Sequence, residues 1–386
     1  WNSIYEKEIQ SVYAFANLGY KNFLFLDVTA RNDWSSTLPA ANRSYFYPSV
    51  SLSYLLTGMM DEMGIDYNKD VLDYSKIRAS WAKVGKDTDP YQLETLLGTT
   101  SGVNGLQYIT YPTTRANSNL KPEMVTSWEV GTEWHFFKNR LGLDLTYYHS
   151  NTVNQVMKIP LPYSSGVQNQ WINAGNIQNQ GIELQLNADI VRTRDITFGA
   201  TINFAKNWNK VLELYHNADM GIDMDRYSLG NINFSSSGDG TVYAIEGREI
   251  GTLVGTGYKY DASGNKVIGE NGLPVIESNK EISVTAQNFW NNIPMEECVY
   301  DASYLKLSEL SLSYTLPKNV LERAFGGYVD NIRVSAVGSN LFYFLKHTPG
   351  TTPDGALTEN SLMATAFDLC PYPATRNFGV AINIGF

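Results

Sequence analysis

No run of about 18 consecutive apolar residues occurs in the 386-residue chain, so no helix in it can cross a bilayer. That absence does not exclude membranes, because the strands of a membrane barrel alternate and dilute their own hydropathy. Cysteine is nearly missing: Cys298 and Cys370 are the only two, too few for a disulfide scaffold. Histidine is scarce as well, and His135, His149, His216 and His347 lack the spacing of metal ligands. Positive charge is short, with 29 Lys and Arg against 39 Asp and Glu, and a net charge of −10 argues against a nucleic-acid partner. No nucleophile elbow or phosphate-cradling glycine loop appears, so no catalytic apparatus is visible. The first residue is Trp1, so compartment is read from the body of the chain.

Alternation is what the chain has in quantity. In "RNFGVAINIGF" (376–386), Phe378, Val380, Ile382, Ile384 and Phe386 take one face, while small and polar residues take the other. "RLGLDLTYYHS", "GIELQLNAD", "DITFGATINFA" and "SWEVGTEWHFF" repeat the pattern. Period two is the signature of a strand between two different environments. About eleven strands are expected on this basis, near 11–18, 23–32, 45–56, 76–84, 126–137, 140–151, 178–190, 195–207, 304–316, 332–342 and 376–386. Their connections alternate in length. Those at 19–22, 137–140 and 191–195 are tight, and 57–75 and 317–331 are compact, with a short helix expected in "PKNVLERAFGG" between Pro317 and Gly326 or Gly327. The others, near 33–44, 85–125, 152–177, 208–303 and 343–375, are long and rich in Gly, Asn, Ser, Thr and aromatics. Short turns at one end and long loops at the other predict an all-β, transmembrane antiparallel β-barrel with extracellular loops. A soluble β-sandwich also alternates, but it does not gather five long loops at one end.

The inward positions of those strands carry Asp27, Arg31, Arg78, Glu129, Glu133, His135, Asp144, Glu183, Asp189, Glu309 and Arg333. Unpaired charge against lipid costs several kcal/mol near the midplane, so as a set they require a wet or filled lumen. Each singly is also explained by a wall that tolerates charge. Among the loop aromatics, Tyr163, Trp171, Trp208, Tyr215, Trp290 and Tyr300 are candidates for contact with a solute or partner, since flat rings beside amides suit sugars and peptides alike. The alternative for each is packing within the loops. Trp81, Trp128 and Trp134 are expected to face lipid or the interfacial girdle. "DASGN" (261–265) and "GIDMDRYSLG" (221–230) only faintly resemble calcium loops and lack the twelfth-position acid.

Several stretches resemble one family, the SusC/RagA-type TonB-dependent transporters of Bacteroidetes outer membranes. They are "FLFLDVTARNDWSSTLPAANRSYFYPSVSLSYLLT" (23–57), "SKIRASWAKVGKD" (75–87), "NSNLKPEMVTSWEVGTEWHFFKNRLGLDLTYY" (117–148), "NAGNIQNQGIELQL" (173–186), "YDASYLKLSELSLSYTLP" (300–317), "VGSNLFYF" (337–344) and "YPATRNFGVAINIGF" (372–386). The resemblance implies that residues 1–386 are the C-terminal portion of a barrel of about 22 strands, with plug and TonB segment lying outside this chain. Near 279–280 the family has a further hairpin that this chain lacks, either because this member is shorter or because residues are omitted there; the resemblance also implies a SusD-like lipoprotein as lid and Phe386 as part of a signal read by the barrel-assembly machinery. It allows a loop-bound calcium, no other cofactor, and a dimer of transporter–lipoprotein pairs. The function it implies is active import of an oligosaccharide or oligopeptide across the Gram-negative outer membrane. A passive porin or structural barrel is the alternative, and a barrel hydrolase the third. The hydrolase would need a Ser–His pair, which Ser51, Ser53, Ser311 and Ser313 do not have. Acidic net charge disfavours anionic solutes through repulsion, unless plug and lipoprotein reverse the field.

Overall fold

A computed structural model describes residues 5–193, 195–218, 221–233, 239–270, 272, 274–281, 304–326, 328–348 and 375–385. Period-two alternation becomes a single antiparallel meander. Its strands are β1 (Ile9–Tyr20), β2 (Leu24–Ser35), β3 (Ser44–Leu55), β4 (Leu72–Lys86), β5 (Glu123–Phe136) and β6 (Leu141–Pro160). They continue with β7 (Asn169–Arg192), β8 (Ile196–Glu213), β9 (Tyr304–Thr315), β10 (Asn331–Lys346) and β11 (Asn377–Gly385). Each strand pairs with the next in sequence, and the two-residue strand Thr114–Arg115 adds to β7. The sheet is open, since β1 and β11 are edges that do not meet. All eleven expected strands are present.

Consecutive antiparallel pairing puts alternate connections at opposite ends. One end holds the connections after β1, β3, β5, β7 and β9; the other holds 36–43, 87–122, 161–168 and the points where the chain leaves β8 and β10. The first set is short for local reasons. Lys21 and Asn22 both adopt positive φ, closing the β1–β2 turn with the Phe23 N–H donating to the Tyr20 carbonyl at 3.2 Å. The expected helix is α2 (Lys318–Phe325), preceded by Pro317 and closed by left-handed Gly326. A further helix, α1 (Leu56–Met63), fills a connection expected only to be compact; Gly64, at φ 67°, ends it and donates to the Asp61 carbonyl.

The loop end departs further from expectation. β6 and β7 remain hydrogen-bonded well beyond 151 and 178, so the loop expected over 152–177 shrinks to 161–168. The ladder bends once, where Asn154 and Gly175 both take positive φ and drop out of the pairing. Beside that bend, the Asn173 amide acts as a backbone mimic. It accepts from the Lys121 N–H and donates to the Lys121 carbonyl, both at 2.7 Å, and so ties the β4–β5 loop to the wall.

The described part of the 208–303 loop is folded too. Strands Arg226–Asn233, Asp239–Ile245, Thr252–Tyr258 and Ile276–Glu281 form a four-stranded antiparallel sheet, with residues 279 and 280 inside its last strand. Met224 and Tyr227 bridge that region to two small cores, one on Met157, Ile159, Ile172 and Ala174, the other on Val211, Leu214 and Ala244. Below it, β8 pairs directly with β9, from Ile196 opposite Tyr314 to Asn203 opposite Lys306.

Candidate functional site: the polar face and loop end of the sheet

Directly paired residues in a sheet share a face, so the register alone shows which side chains stand together. Asp27 pairs with Ser51, Ser51 with Ser80, Ser80 with Glu129, and Glu129 with Tyr148. The next row runs from Arg78 through Gly131 and Thr146 to Glu183. Glu133 pairs with Asp144, Asp189 with Gly199, Glu309 with Thr201, and Arg333 with Thr315. With His135 opposite Gly142, these rows and the alternation within strands put all eleven inward residues singled out in the sequence on one face.

That face is cross-braced. Arg78 on β4 reaches over β5 to clasp Asp144 on β6, Nη2 to Oδ1 at 2.7 Å and Nη1 to Oδ2 at 3.2 Å. The crossing exists because Gly131 lies beneath it: a Cβ there would sit 2.6 Å from Arg78 Nε. Both charges are about one-third exposed, 33% and 35%, so solvent screens the pair and its contribution is on the order of 1 kcal/mol. Arg31 donates to Asp33 at 2.8 Å and to the Ser11 hydroxyl at 3.0 Å, while the Tyr47 hydroxyl donates to the other Asp33 oxygen. Asp33 is buried. The sequence reading ended that strand too early to include it, although the Asp27, Thr29, Arg31 alternation points to it.

The opposite face is apolar and bounded by aromatics. Trp81 pairs with Trp128, Trp128 with His149, His149 with Gln180, and Gln180 with Trp208. At the far end of β5 stand Trp134 and Phe136, stacked at 6.1 Å. Trp128 and Phe136 lie about 27 Å apart along the strand at roughly 3.4 Å per residue. A tilt of about 40° reduces that to ~21 Å, close to the ~25 Å apolar band of an outer-membrane barrel.

Comparison with known proteins agrees with this geometry. The family model described as "TonB dependent receptor-like, beta-barrel" matches residues 1–338. The chain belongs to that family. TonB-dependent receptor P3 of Formosa agariphila is 25% identical over 465 aligned residues, covering 99% of this chain and 46% of the relative. Since 465 exceeds the chain's 386 residues, the relative carries internal stretches absent here. TonB-dependent receptor SusC of Bacteroides thetaiotaomicron is 26% identical, over 68% of this chain and 26% of that protein. Among solved structures, the RagAB peptide importer in its open-open state superposes with a TM-score of 0.64 at 18% identity, covering 98% of this chain and 47% of that one. The likeness there is one of fold. The chain spans less than half the length of these relatives.

Within this TonB-dependent receptor barrel, the loop aromatics separate. Tyr163 sits in the turn Tyr163–Ser165 and is 84% exposed. Trp171 is not in a loop but on β7, packed against the buried cluster of Leu38, Tyr45 and Leu120 with the Lys158 ammonium 4.7 Å over its ring. Trp208 is also corrected. It lies on β8 in the aromatic row of the apolar face, because the alternation runs on through Asn207 and Asn209 past the expected strand end. Tyr215 packs into the core around Ile159 and Ile172. Trp290, Tyr300, Phe386, Cys298 and Cys370 fall outside the described residues.

Neither stretch that faintly resembles a calcium loop gathers carboxylates. Asp261 spends its carboxylate on the Ser263 and Asn265 N–H groups, at 2.8 and 2.9 Å, and this turn holds its pKa below the usual carboxylate value. Asp223 instead faces His216, whose other ring nitrogen lies 2.9 Å from Glu246. Asp223 first and Glu246 second raise the His216 pKa above its ordinary 6.5. A raised histidine stabilises its fold fully below about pH 6.5 and ceases to as pH rises through the raised value. Ring-proton NMR of the isotope-labelled protein should therefore show one histidine midpoint above 6.5 that vanishes in His216→Gln. A His216 midpoint at or below 6.5 would contradict the clamp.

Proposed function

We propose that the protein carrying this chain is an outer-membrane active importer, energised through TonB, that takes up an oligosaccharide or oligopeptide beneath a SusD-like lipoprotein lid. The observation that carries this is the division of one continuous sheet into an apolar face with aromatic borders and a braced polar face. Family membership gives that division its setting, a barrel wall with lipid outside and a plug and solute inside. The folded loops at one end supply docking surface for a lid, and RagAB, likened here in fold, is titled a peptide importer. The wall hairpin expected near 279–280 belongs to the whole transporter in this reading, supported by the longer alignment with P3. No bond of the solute is broken in it.

The test is uptake by whole cells. Growth on a panel of glycans and peptides should identify a solute whose uptake stops on deletion of the gene or of TonB, and on addition of a protonophore. Uptake that persists without TonB would mark a passive porin instead. Affinity purification from outer membranes should bring down a lipoprotein in equal amount, and its consistent absence would remove the lid from the proposal.

A further inference from the structure

Between the loop ends of β4–β7 and the four-stranded loop sheet lies a cavity of about 400 Å³. Leu229 and Ala244 of the loop sheet line one side. On the wall side stand Lys86 of β4, Glu123 of β5, Lys158 of β6 and Trp171 of β7. The size and the mixture, an apolar side opposed by a few polar groups, are those of a small-molecule site.

Among the described residues neither the Lys86 nor the Lys158 ammonium joins an ion pair, whereas Lys7, Lys21, Lys69 and Lys138 each do. Glu123 is the cross-strand partner of Lys86, yet its carboxylate accepts the Val156 N–H at 2.9 Å instead. Lys158 rests its ammonium 4.7 Å over the Trp171 ring, which holds a cation in place without neutralising it. A chain of net charge −10 thus sets two lysines against one carboxylate at a half-apolar cavity. Local charge there runs against the total, and it is local charge that a bound group meets.

We infer that this cavity is a subsite for a carboxylate-bearing end group of the transported solute, held by Lys86 and Lys158 with its carbon skeleton against Trp171 and the loop-sheet side. The inference rests on the import reading above and narrows its substrate class. Two sources share the chemistry: the hexuronate end of an acidic oligosaccharide and the C-terminus of an oligopeptide. Ammonium groups bind either as point charges.

Calorimetry on the full-length transporter, purified with its lipoprotein, tests this with two matched pairs. These are trigalacturonate against neutral galactotriose, and trialanine against trialanine amide. The carboxylated member of one pair should bind about tenfold tighter or more, as expected of a charge-assisted contact, and the pair that shows it identifies the source. In Lys86→Met/Lys158→Met the preference should fall to about twofold or less, and Lys86→Arg/Lys158→Arg should keep most of it. Heat-modifiable gel migration confirms that each variant assembles. Equal binding of charged and neutral members, a preference that survives the methionine pair, or no binding of any probe would each overturn the subsite. The import reading falls separately, only if no solute shows TonB-dependent uptake.

Discussion

Leu184→Arg should destabilise the assembled barrel by about 2–4 kcal/mol, while Gln185→Arg, one residue on, should stay within ~0.5 kcal/mol. The two positions share a strand, neighbouring strands and a distance from the sheet's ends; only the face differs. Leu184 pairs with Leu145 and Phe204, on the apolar face between the aromatic rows. An arginine there meets hydrocarbon, far enough from either border that its side chain cannot easily carry the charge to water. Gln185 pairs with Asp144 and Asn203 on the polar face, where an added cation finds water and a carboxylate. Urea unfolding from lipid vesicles gives the comparison directly. Equal costs, or a larger one at Gln185, would overturn the assignment of faces and with it the placing of the eleven inward residues on one polar face.

That placing was legible from the sequence because alternation survives without any knowledge of partners. A residue two or four positions from Asp27 shares its face whatever strand lies alongside, so Arg31 could be grouped with Asp27, and Glu133 with Glu129, before any pairing was known. What the alternation could not give is contact. The Arg78–Asp144 clasp depends on two registers and on the small residue between them, and nothing near Arg78 in sequence signals a partner 66 residues away. Strand ends were misjudged for a related reason. Beyond the apolar belt both faces of β6 and β7 turn polar or mixed, so hydropathy stops alternating while hydrogen bonding continues, as Trp171 shows. The bend at Asn154 and Gly175 adds a further break in the pattern. The loop sheet was missed because its strands are short and glycine-bearing, with Gly240, Gly255 and Gly257 inside them, and they have little periodicity to read.

Gly181→Ala carries the second large effect, about 1–3 kcal/mol of destabilisation from overpacking. Gly181 lies between Tyr148 on β6 and Asn207 on β8, and the tyrosine crosses above it to accept a hydrogen bond from Asn207 Nδ2 at 2.8 Å. It is the same device as Arg78 over Gly131, a long side chain passing a strand through the gap left by a missing one. Here the gap is tighter, since an added Cβ would also lie 2.7 Å from the Lys206 backbone carbonyl. A flexible side chain can swing aside, but that carbonyl belongs to a strand held along its length by its neighbours. Gly379→Ala is the control, with nothing within 4 Å of its Cβ and an expected change within ~0.5 kcal/mol. Repeating Gly181→Ala in a Tyr148→Ala background separates the two obstructions. If the ring is the obstacle, the penalty disappears there. If the carbonyl is, the penalty persists, and persistence is the expected result because the backbone has nowhere to go without opening the β7–β8 ladder.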